Sequence, residues 1–151
     1  MVGLSRRTAI AAIMAGGTTI VPTVLAQTAE DYTRTAGGLT TYLGVMQAEI
    51  IRGLPAMHGG VPAGPHEYHV IVAIFEAGSG ARVSDVTVTA KVSGVGLSGL
   101  EREPMSIADT ITYGGFFSLP GRDLYTIELA IRRSSTQQPV VVALKYDHRG
   151  R

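Results

Sequence analysis

The sequence predicts an all-β domain, an immunoglobulin-like antiparallel β-sandwich of about seven strands. Short runs rich in branched apolar residues alternate with turn signals at regular intervals, and no helical period follows residue 26. The 7 proline and 19 glycine residues are spread through the chain, which suits many short strands joined by turns. At 151 residues the chain is long enough to bury the core of one domain.

Residues 1–26 are predicted to be a cleavable export signal. A mildly apolar run, residues 8–25, follows an arginine pair and ends in the small residue Ala26. The run is too polar and too short for a membrane span, which needs about 20 apolar residues. Ser5-Arg6-Arg7 is similar to the twin-arginine signal, but Ala9 stands where that signal usually has Phe, so ordinary secretion stays open as a route. The mature protein is therefore predicted to be periplasmic, with no stable membrane span.

Charge and cysteine content exclude several classes of function. Removal of residues 1–26 leaves 11 basic and 12 acidic residues, a formal charge of −1, which gives no reason to expect binding to nucleic acid. The chain has no cysteine, so it has no disulfide, thiolate metal site or cysteine nucleophile. The sequence also lacks Gly-x-Ser-x-Gly, His-Glu-x-x-His and a phosphate-binding glycine loop, so we predict that the protein is not an enzyme.

Residues 27–38 are polar and are predicted to be a flexible leader, so the β-sandwich domain is predicted to be 39–151. Its centre is residues 68–76, a run that is apolar on both alternating faces and therefore predicts a central strand buried on both sides. Residues 40–52 predict an earlier strand with a bulge near Gln47. The remaining predictions are a hairpin turn at 77–80, a half-exposed strand at 82–93 paired with the central one, a strand at 107–113, a bend with a short apolar piece at 114–117, and strands at 125–133 and 140–146.

The stretch 119–125 is the most informative one for the fold. A Pro-Gly turn leads into a strand with Tyr125 at its start, which is the pattern of a tyrosine corner in Greek-key sandwiches. A plain Pro-Gly turn with an incidental tyrosine is the alternative. Arg132 and Arg133 are interpreted as a solvated strand end, and His148 as a tail residue.

Metal-ligating side chains are concentrated just before the central strand. Met57, His58 and His66 lie in one loop whose glycines allow the backbone to fold back, and His69 stands where the strand begins. Met105 is expected at the end of a neighbouring strand. Methionine thioether selects Cu(I), and imidazole suits copper, iron, nickel and zinc. The alternative is that the methionines are hydrophobic residues at the edge of the core and the histidines are solvated.

Several motifs of the mature chain resemble a known family. They are Glu103-Pro104-Met105-Ser106-Ile107-Ala108-Asp109, Tyr113-Gly114-Gly115, Tyr125-Thr126-Ile127-Glu128-Leu129 and Val142-Ala143-Leu144-Lys145-Tyr146. Through them residues 42–148 resemble the periplasmic iron-transport accessory proteins, which are exported, immunoglobulin-like homodimers that bind copper and iron beside an inner-membrane ferrous-iron permease. The spirochaete metal-binding lipoproteins are relatives of that family. The periplasmic copper-binding sandwich proteins are a second, weaker resemblance.

The resemblance implies a bound copper or iron ion, an iron or copper permease as partner, and a homodimer. Met105 matches the family's ligand methionine, but Thr112 stands where a ligand histidine is expected seven residues later. In the opening strand, Met46 and Glu49 are the nearest counterparts of the family's ligands. Either Met57, His58, His66 or His69 replaces the missing ligands, or the chain is a relative that no longer binds metal in the same way.

Two functions therefore follow from the sequence. The first is an exported periplasmic metal-binding protein, accessory to iron or copper uptake, in which Met105 and at least two of His58, His66 and His69 converge. The second is a metal-free binding or scaffold module of the cell envelope, which uses a sheet face or an edge strand to bind a partner.

Overall fold

The computed structural model describes residues 29–52, 60–97, 103–107, 112–135 and 138–149. The predicted export signal lies outside these ranges, and no helix within them has the length and hydropathy of a membrane span. The elements, in chain order, are α1 (Ala29–Tyr32), β1 (Thr33–Ala36), β2 (Leu39–Gln47), a 3₁₀ helix (Ala48–Ile51), β3 (Glu67–Glu76), β4 (Val86–Ser93), β5 (Glu103–Ile107), β6 (Tyr113–Ser118), β7 (Leu124–Arg133) and β8 (Val140–Asp147).

The strands form two antiparallel sheets. One sheet has the order β1-β2-β3-β6 and the other β4-β7-β8. Strand β5 joins the sheets, because its first three residues pair with β4 and its last two with β6. From β2 onward, this arrangement is that of an immunoglobulin constant-type domain, with β2, β3, β6 and β5 opposite β4, β7 and β8. The predicted β-sandwich is confirmed.

A tight hairpin of β1 and β2 lies at the edge of the sandwich away from β5. Gly37 and Gly38 have φ values of 57° and 77°, and a two-residue type I′ turn needs positive φ at both of these positions. Both α1 and β1 pack against β8, and a Cβ built on Gly37 would lie 2.5 Å from Cγ2 of Val140. The structure here differs from the flexible leader predicted for residues 27–38, since residues 33–36 are paired with β2.

The core between the sheets is built mainly from alternate positions of β3, β4, β7 and β8. Alternation along a strand sends every second side chain to the same face. Burial of each large aliphatic side chain contributes about 1.5–3 kcal/mol, so this set outweighs any exposed ion pair. Its buried members include Val70, Val72, Ile74, Val88, Ala90, Val92, Ile127, Leu129, Ile131, Val142 and Leu144.

Strand β3 is buried on one face and only partly covered on the other. Tyr68 and alternate residues after it belong to the core, whereas Ile71 and Phe75 on the opposite face are half-buried. The prediction of a strand buried on both sides is therefore wrong for most of the outer face. His69 is the buried residue of that face, at 1% exposure.

Strand β4 does not pair with β3, so the predicted hairpin between them is wrong. The turn at 77–80 forms, and it is followed by a single bridge from Arg82 to Phe75 and a 2.9 Å hydrogen bond from Val83 N–H to the Ile74 carbonyl. Val83 is buried in the core, and after it the chain crosses to the other sheet, where β4 pairs with β5 and β7. Val88 and the next two inward positions point to the core as predicted.

Two strand boundaries also differ from the predictions. Strand β2 ends at Gln47, where a strand with a bulge was predicted, and the 3₁₀ helix follows. Residues 114–117, predicted as a bend and a short apolar piece, belong to β6, which pairs with β3 over its whole length. The strand predicted at 107–113 falls between β5 and β6, and its residues 108–111 lie outside the described ranges.

The tyrosine corner is confirmed. Tyr125 is 2% exposed, its O–H donates to the Gly121 carbonyl at 2.8 Å, and the Gly121 N–H donates back to the Tyr125 oxygen at 2.9 Å. These two bonds hold the turn before β7 against the start of that strand. The ring of Tyr125 also packs against the bare backbone of Gly94.

Replacement of Tyr125 by Phe should lower the free energy of unfolding by about 1–3 kcal/mol, because the Gly121 N–H loses its acceptor in a partly buried turn. Urea unfolding followed by circular dichroism measures this change. Tyr42→Phe is the matched control, since Tyr42 is 47% exposed, and its effect should stay within about 0.5 kcal/mol. Equal effects of the two substitutions would contradict a structural role of the corner.

Gly94→Ala should also destabilise the fold. A Cβ at this position would lie 2.8 Å from both Asp123 Oδ2 and Tyr125 Cδ1, so we expect a loss of about 1–3 kcal/mol from overpacking. A Cβ at Gly78 would meet nothing within 4 Å, so Gly78→Ala should change stability by less than about 1 kcal/mol. Thermal unfolding compares the stability of the two variants directly. A Gly94→Ala variant as stable as the wild type would show that Asp123 and Tyr125 do not lie so close to Gly94.

Candidate functional site

The residues predicted as ligands do not all meet. Met105 lies in the core between the sheets, opposite Val88 of β4. His69 lies on the outer face of β3, stacked on Phe116 with ring centroids 4.9 Å apart. Met105 fills the core and His69 lies on the outer face of the sheet that contains β3, so the two side chains cannot share a centre.

Three other predicted ligands lie elsewhere or outside the described residues. Glu49 is exposed on the 3₁₀ helix, where its carboxylate is 3.8 Å from the guanidinium of Arg52. Met57 and His58 lie outside the described residues, in the segment 53–59. The sequence places that segment just before the part of the chain that leads into β3.

A cleft of about 540 Å³ opens at one end of the sandwich. It is formed by the end of β2, the 3₁₀ helix, the start of β3, the turn before β7 and the end of β8. Its lining residues are Val45, Met46, Gln47, Ile50, His66, Tyr68, Pro120, Gly121, Arg122, Tyr146 and His148. Two of the predicted ligands, Met46 and His66, are thus brought to one cavity.

Backbone pairing holds these two residues in place. Met46 is half-buried near the end of β2 and lies directly opposite His69 in the antiparallel register. His66 is exposed at the cleft, and its carbonyl accepts the Leu119 N–H at 2.8 Å, which ties the start of β3 to the turn before β7. Because directly opposed residues of an antiparallel pair point to the same face, the Met46 side chain lies on the outer face with His69, and Met46 borders the cleft from that side.

His148 is the third donor residue of the cleft, and the interpretation of it as a tail residue is wrong. Its Nδ1 lies 2.9 Å from the Gly121 carbonyl and its Nε2 lies 2.8 Å from the Tyr68 hydroxyl. A carbonyl oxygen can only accept, so Nδ1 carries the proton and donates it. In the neutral ring Nε2 is then the acceptor of the Tyr68 O–H. The ring also stacks on Tyr146, with centroids 5.8 Å apart.

A pattern in the sequence could have found His148. Tyr146 and His148 are two residues apart at the end of the last strand, so both side chains point to the same side. Tyr146 belongs to the predicted closing strand, and because it is only 2% exposed this side is the interior. What the sequence lacked was the position of the facing residue, Tyr68, which is 80 residues away.

The cleft carries no acidic side chain among its described lining residues, and Arg122 is its permanent charge. Asp147 is adjacent in sequence but pairs with Arg149 at 2.7 Å outside the lining. Hydrogen bonds from Arg149 lower the pKa of Asp147 to about 2. Because the pKa of Asp147 is lowered in the folded state, the ion pair contributes stability above the ordinary carboxyl pKa. That stability is lost as the pH falls towards 2.

The donor set limits which metals the cleft would suit. Within the described ranges, no group of three or more His, Cys, Asp or Glu side chains could hold a metal ion. The cleft instead offers the imidazoles of His66 and His148, while Met46 borders it from the outer face of the sheet. Imidazole suits copper, iron, nickel and zinc.

A second depression, of about 440 Å³, lies towards the other end of the sheet that contains β2 and β3. Tyr42, which is exposed, meets Phe75 edge to face at 5.5 Å, and the guanidinium of Arg82 lies 4.8 Å from the Phe75 ring centre. Glu76 at its rim is paired with Arg133. This is an aromatic surface, and it holds none of the predicted metal ligands.

Comparison with known proteins gives the fold. No protein-family model and no curated protein sequence matches the chain. A DUF4426 family protein from Pseudomonas aeruginosa is similar in structure, with a TM-score of 0.58 and 13% identity over 78% of this chain and 94% of that one. A variant of Campylobacter jejuni P19, solved with copper bound, has a TM-score of 0.57 and 13% identity over 76% and 92% of the two chains. At this identity the chain shares their fold.

The tautomer of His148 can be measured directly. We expect the neutral ring to carry its proton on Nδ1, because the Gly121 carbonyl accepts it. Long-range proton–nitrogen NMR of the imidazole rings distinguishes the two nitrogens. In Tyr125→Phe the same tautomer should persist, since the Gly121 carbonyl remains. A His148 ring protonated on Nε2 in the wild-type protein would contradict the described geometry.

Proposed function

We propose that this chain is an exported periplasmic protein that binds a copper ion in the cleft through His66 and His148. The observation that carries the proposal is the orientation of His148, whose Nδ1–H is held by the Gly121 carbonyl while its Nε2 accepts the Tyr68 O–H, with both partners in the cleft lining. A ligating histidine commonly donates its other ring N–H to a backbone carbonyl in this way. The fold shared with a protein solved with copper bound supports the proposal.

The residues of the cleft fit such an ion chemically. Bound copper would supply a redox-active, soft cationic centre that takes nitrogen and sulfur donors. The Tyr68 hydroxyl would give up its bond to Nε2 of His148 and remain beside the donor atom. Tyr146, stacked on the imidazole, would hold the ring plane and exclude water from one side.

The proposal differs from the ligand set that the sequence resemblance implies. Met105 is 6% exposed within the core, and its neighbours are apolar side chains. His66 comes from the predicted set, and His148 would take the role of the ligand histidine that the family has where this chain has Thr112. Met57 and His58 belong to the segment between Ile50 and His66, both cleft residues, and are further candidates.

The finer role follows from the same proposal. An exported copper or iron carrier of this fold would act as an accessory to an inner-membrane iron or copper permease, as a monomer or as a homodimer. Export would use the arginine-pair signal of residues 1–26. That the chain is not an enzyme stays a prediction.

One observation favours a second candidate function, a metal-free binding module of the cell envelope. Tyr42 is 47% exposed beside Phe75 and Arg82, on a sheet face that carries none of the cleft residues except Met46. Exposed aromatic residues next to arginine are common in protein interfaces. In this function the cleft would bind no metal ion.

Calorimetric titration with Cu(I) and Cu(II) tests the copper proposal. We expect one ion per chain, and a loss of affinity of about tenfold or more in each of His66→Ala and His148→Ala, since each removes one imidazole donor. A separate calorimetric titration with Fe(II) tests whether the cleft binds iron instead of copper.

Met105→Leu is the matched control. A volume-conserving change in the core should cost less than about 1.5 kcal/mol of stability, and copper affinity should not change, because Met105 is not part of the cleft lining. Loss of copper binding in Met105→Leu, with the two histidine variants unaffected, would contradict the proposed site and favour the ligand set implied by the sequence resemblance.

A further inference from the structure

We infer that the outer face of the sheet β1-β2-β3-β6 binds a neutral sugar chain, with Tyr42 as the platform on which one pyranose ring stacks. The inference goes beyond the proposed function, because it concerns the second depression, of about 440 Å³, and no residue of the cleft. The side chain of Tyr42 is 47% exposed there. Its ring meets the ring of Phe75 edge to face, with centroids 5.5 Å apart.

Threonine hydroxyls surround the Tyr42 ring. Directly opposed residues of an antiparallel pair share a face, and the register places Thr33 opposite Tyr42 and Thr35 opposite Thr40. Thr40 and Tyr42 are two residues apart on β2, so all four side chains lie on one face. The hydroxyls of Thr35 and Thr40 lie 3.0 Å apart. Each threonine hydroxyl can both donate and accept a hydrogen bond.

A sugar ring has the matching arrangement of groups. C–H bonds cover a face of the pyranose ring, and hydroxyls form its rim. The C–H groups can pack on the negative face of an aromatic ring, which here is Tyr42. The rim hydroxyls would then meet the threonine hydroxyls around it. One exposed aromatic ring among three threonines therefore fits a sugar better than it fits a purely apolar ligand.

The charges at the depression favour a neutral ligand. The Arg82 guanidinium lies 4.8 Å from the Phe75 ring centre, and the carboxylate of Glu76, which belongs to the lining, is paired with Arg133. A cationic ligand would meet Arg82 beside the rings, and an anionic ligand would meet the Glu76 carboxylate. Like charges repel at this range, so a net charge of either sign is opposed. Guanidinium and carboxylate groups can both hydrogen-bond to sugar hydroxyls.

A protein partner fits this face less well. Stable protein interfaces bury about 800 Å² on each partner around an apolar core. Among the described outward residues of β2 and β3, Tyr42 is the large apolar side chain that is exposed, since Met46, Ile71 and Phe75 are already half-buried. The depression, at about 440 Å³, instead has the size of a pocket for a small ligand.

The fold holds the platform in place before a ligand binds. Tyr42 lies within β2, which is paired with β1 on one side and with β3 on the other. The turn at 77–80 lines the depression through Ala77 and Gly80, and the Ala77 N–H donates to the Gly38 carbonyl at 2.8 Å. This bond joins the turn after β3 to the turn between β1 and β2. A preorganised surface loses little conformational entropy when it binds.

Titrations followed by proton–nitrogen NMR of the labelled protein test the inference. The probes are cellotetraose, a chain of unsubstituted glucose, and chitotetraose, a chain of N-acetylglucosamine. We expect a dissociation constant of about 1 mM for at least one probe, with changes in chemical shift at residues 33–42 and 75–82. Binding of either probe or of both supports the inference and identifies the type of sugar chain.

Variants of this face separate stacking from other effects. Tyr42→Ala should lower the affinity at least about tenfold, whereas Tyr42→Phe keeps the ring and should stay within about threefold of the wild type. Thr40→Val should weaken sugar binding about threefold, because it removes a hydroxyl. Val141→Ala is the matched control, since Val141 is 49% exposed on the other sheet, and it should bind as the wild type does. The same spectra report whether each variant is folded.

Several results would overturn the inference. With both probes at about ten times the expected dissociation constant, these are no change in chemical shift, or changes confined to the cleft. Binding that Tyr42→Ala leaves intact, or that Thr40→Val strengthens as it would for an apolar partner, also contradicts it. Concentration-dependent shifts at the same residues without sugar would assign the face to a second copy of the chain instead. The copper titrations concern the cleft, so the failure of either proposal leaves the other standing.

Discussion

The carbonyl of Gly121 is the acceptor on which both the fold and the candidate site depend. It accepts the Tyr125 O–H at 2.8 Å and the His148 Nδ1–H at 2.9 Å. The first bond fixes the turn that leads into β7, and the second sets the tautomer and direction of the imidazole at the end of β8. A carbonyl has two lone pairs, so one peptide can serve both donors. The geometry of the cleft is therefore a consequence of the corner that organises the sandwich.

The closure of the sandwich gives this corner a rigid frame. Strand β5 pairs with both sheets on one side, and on the other side the hairpin of β1 and β2 brings β1 against β8. Paired strands have fewer exposed N–H and C=O groups that could bind other chains. Because β5 and β1 connect the two sheets at both edges, the ends of β2, β3 and β8 meet in a fixed arrangement. The cleft lies between these ends.

The similarity to a copper-bound protein concerns the fold, and the details of this chain then decide the chemistry. Met105 matches a family pattern in sequence, yet its side chain fills the core beside Val88 and Gly115. A shared fold supports many functions, which depend on the side chains of the site. Here the described lining residues include His66, His148 and Arg122 and no Asp or Glu.

The sequence by itself determined the β-sandwich, the inward positions of β4 and β7 and the tyrosine corner, because alternation and turn chemistry are local properties of the chain. Tertiary structure alone decided that β4 leaves β3 for the other sheet, that Met105 is buried and that His148 lines the cleft. These outcomes depend on contacts between distant residues, such as Tyr68 and His148, which are 80 positions apart. No local pattern encodes which strand lies opposite another, and the candidate site could be predicted only as far as Met46 and His66.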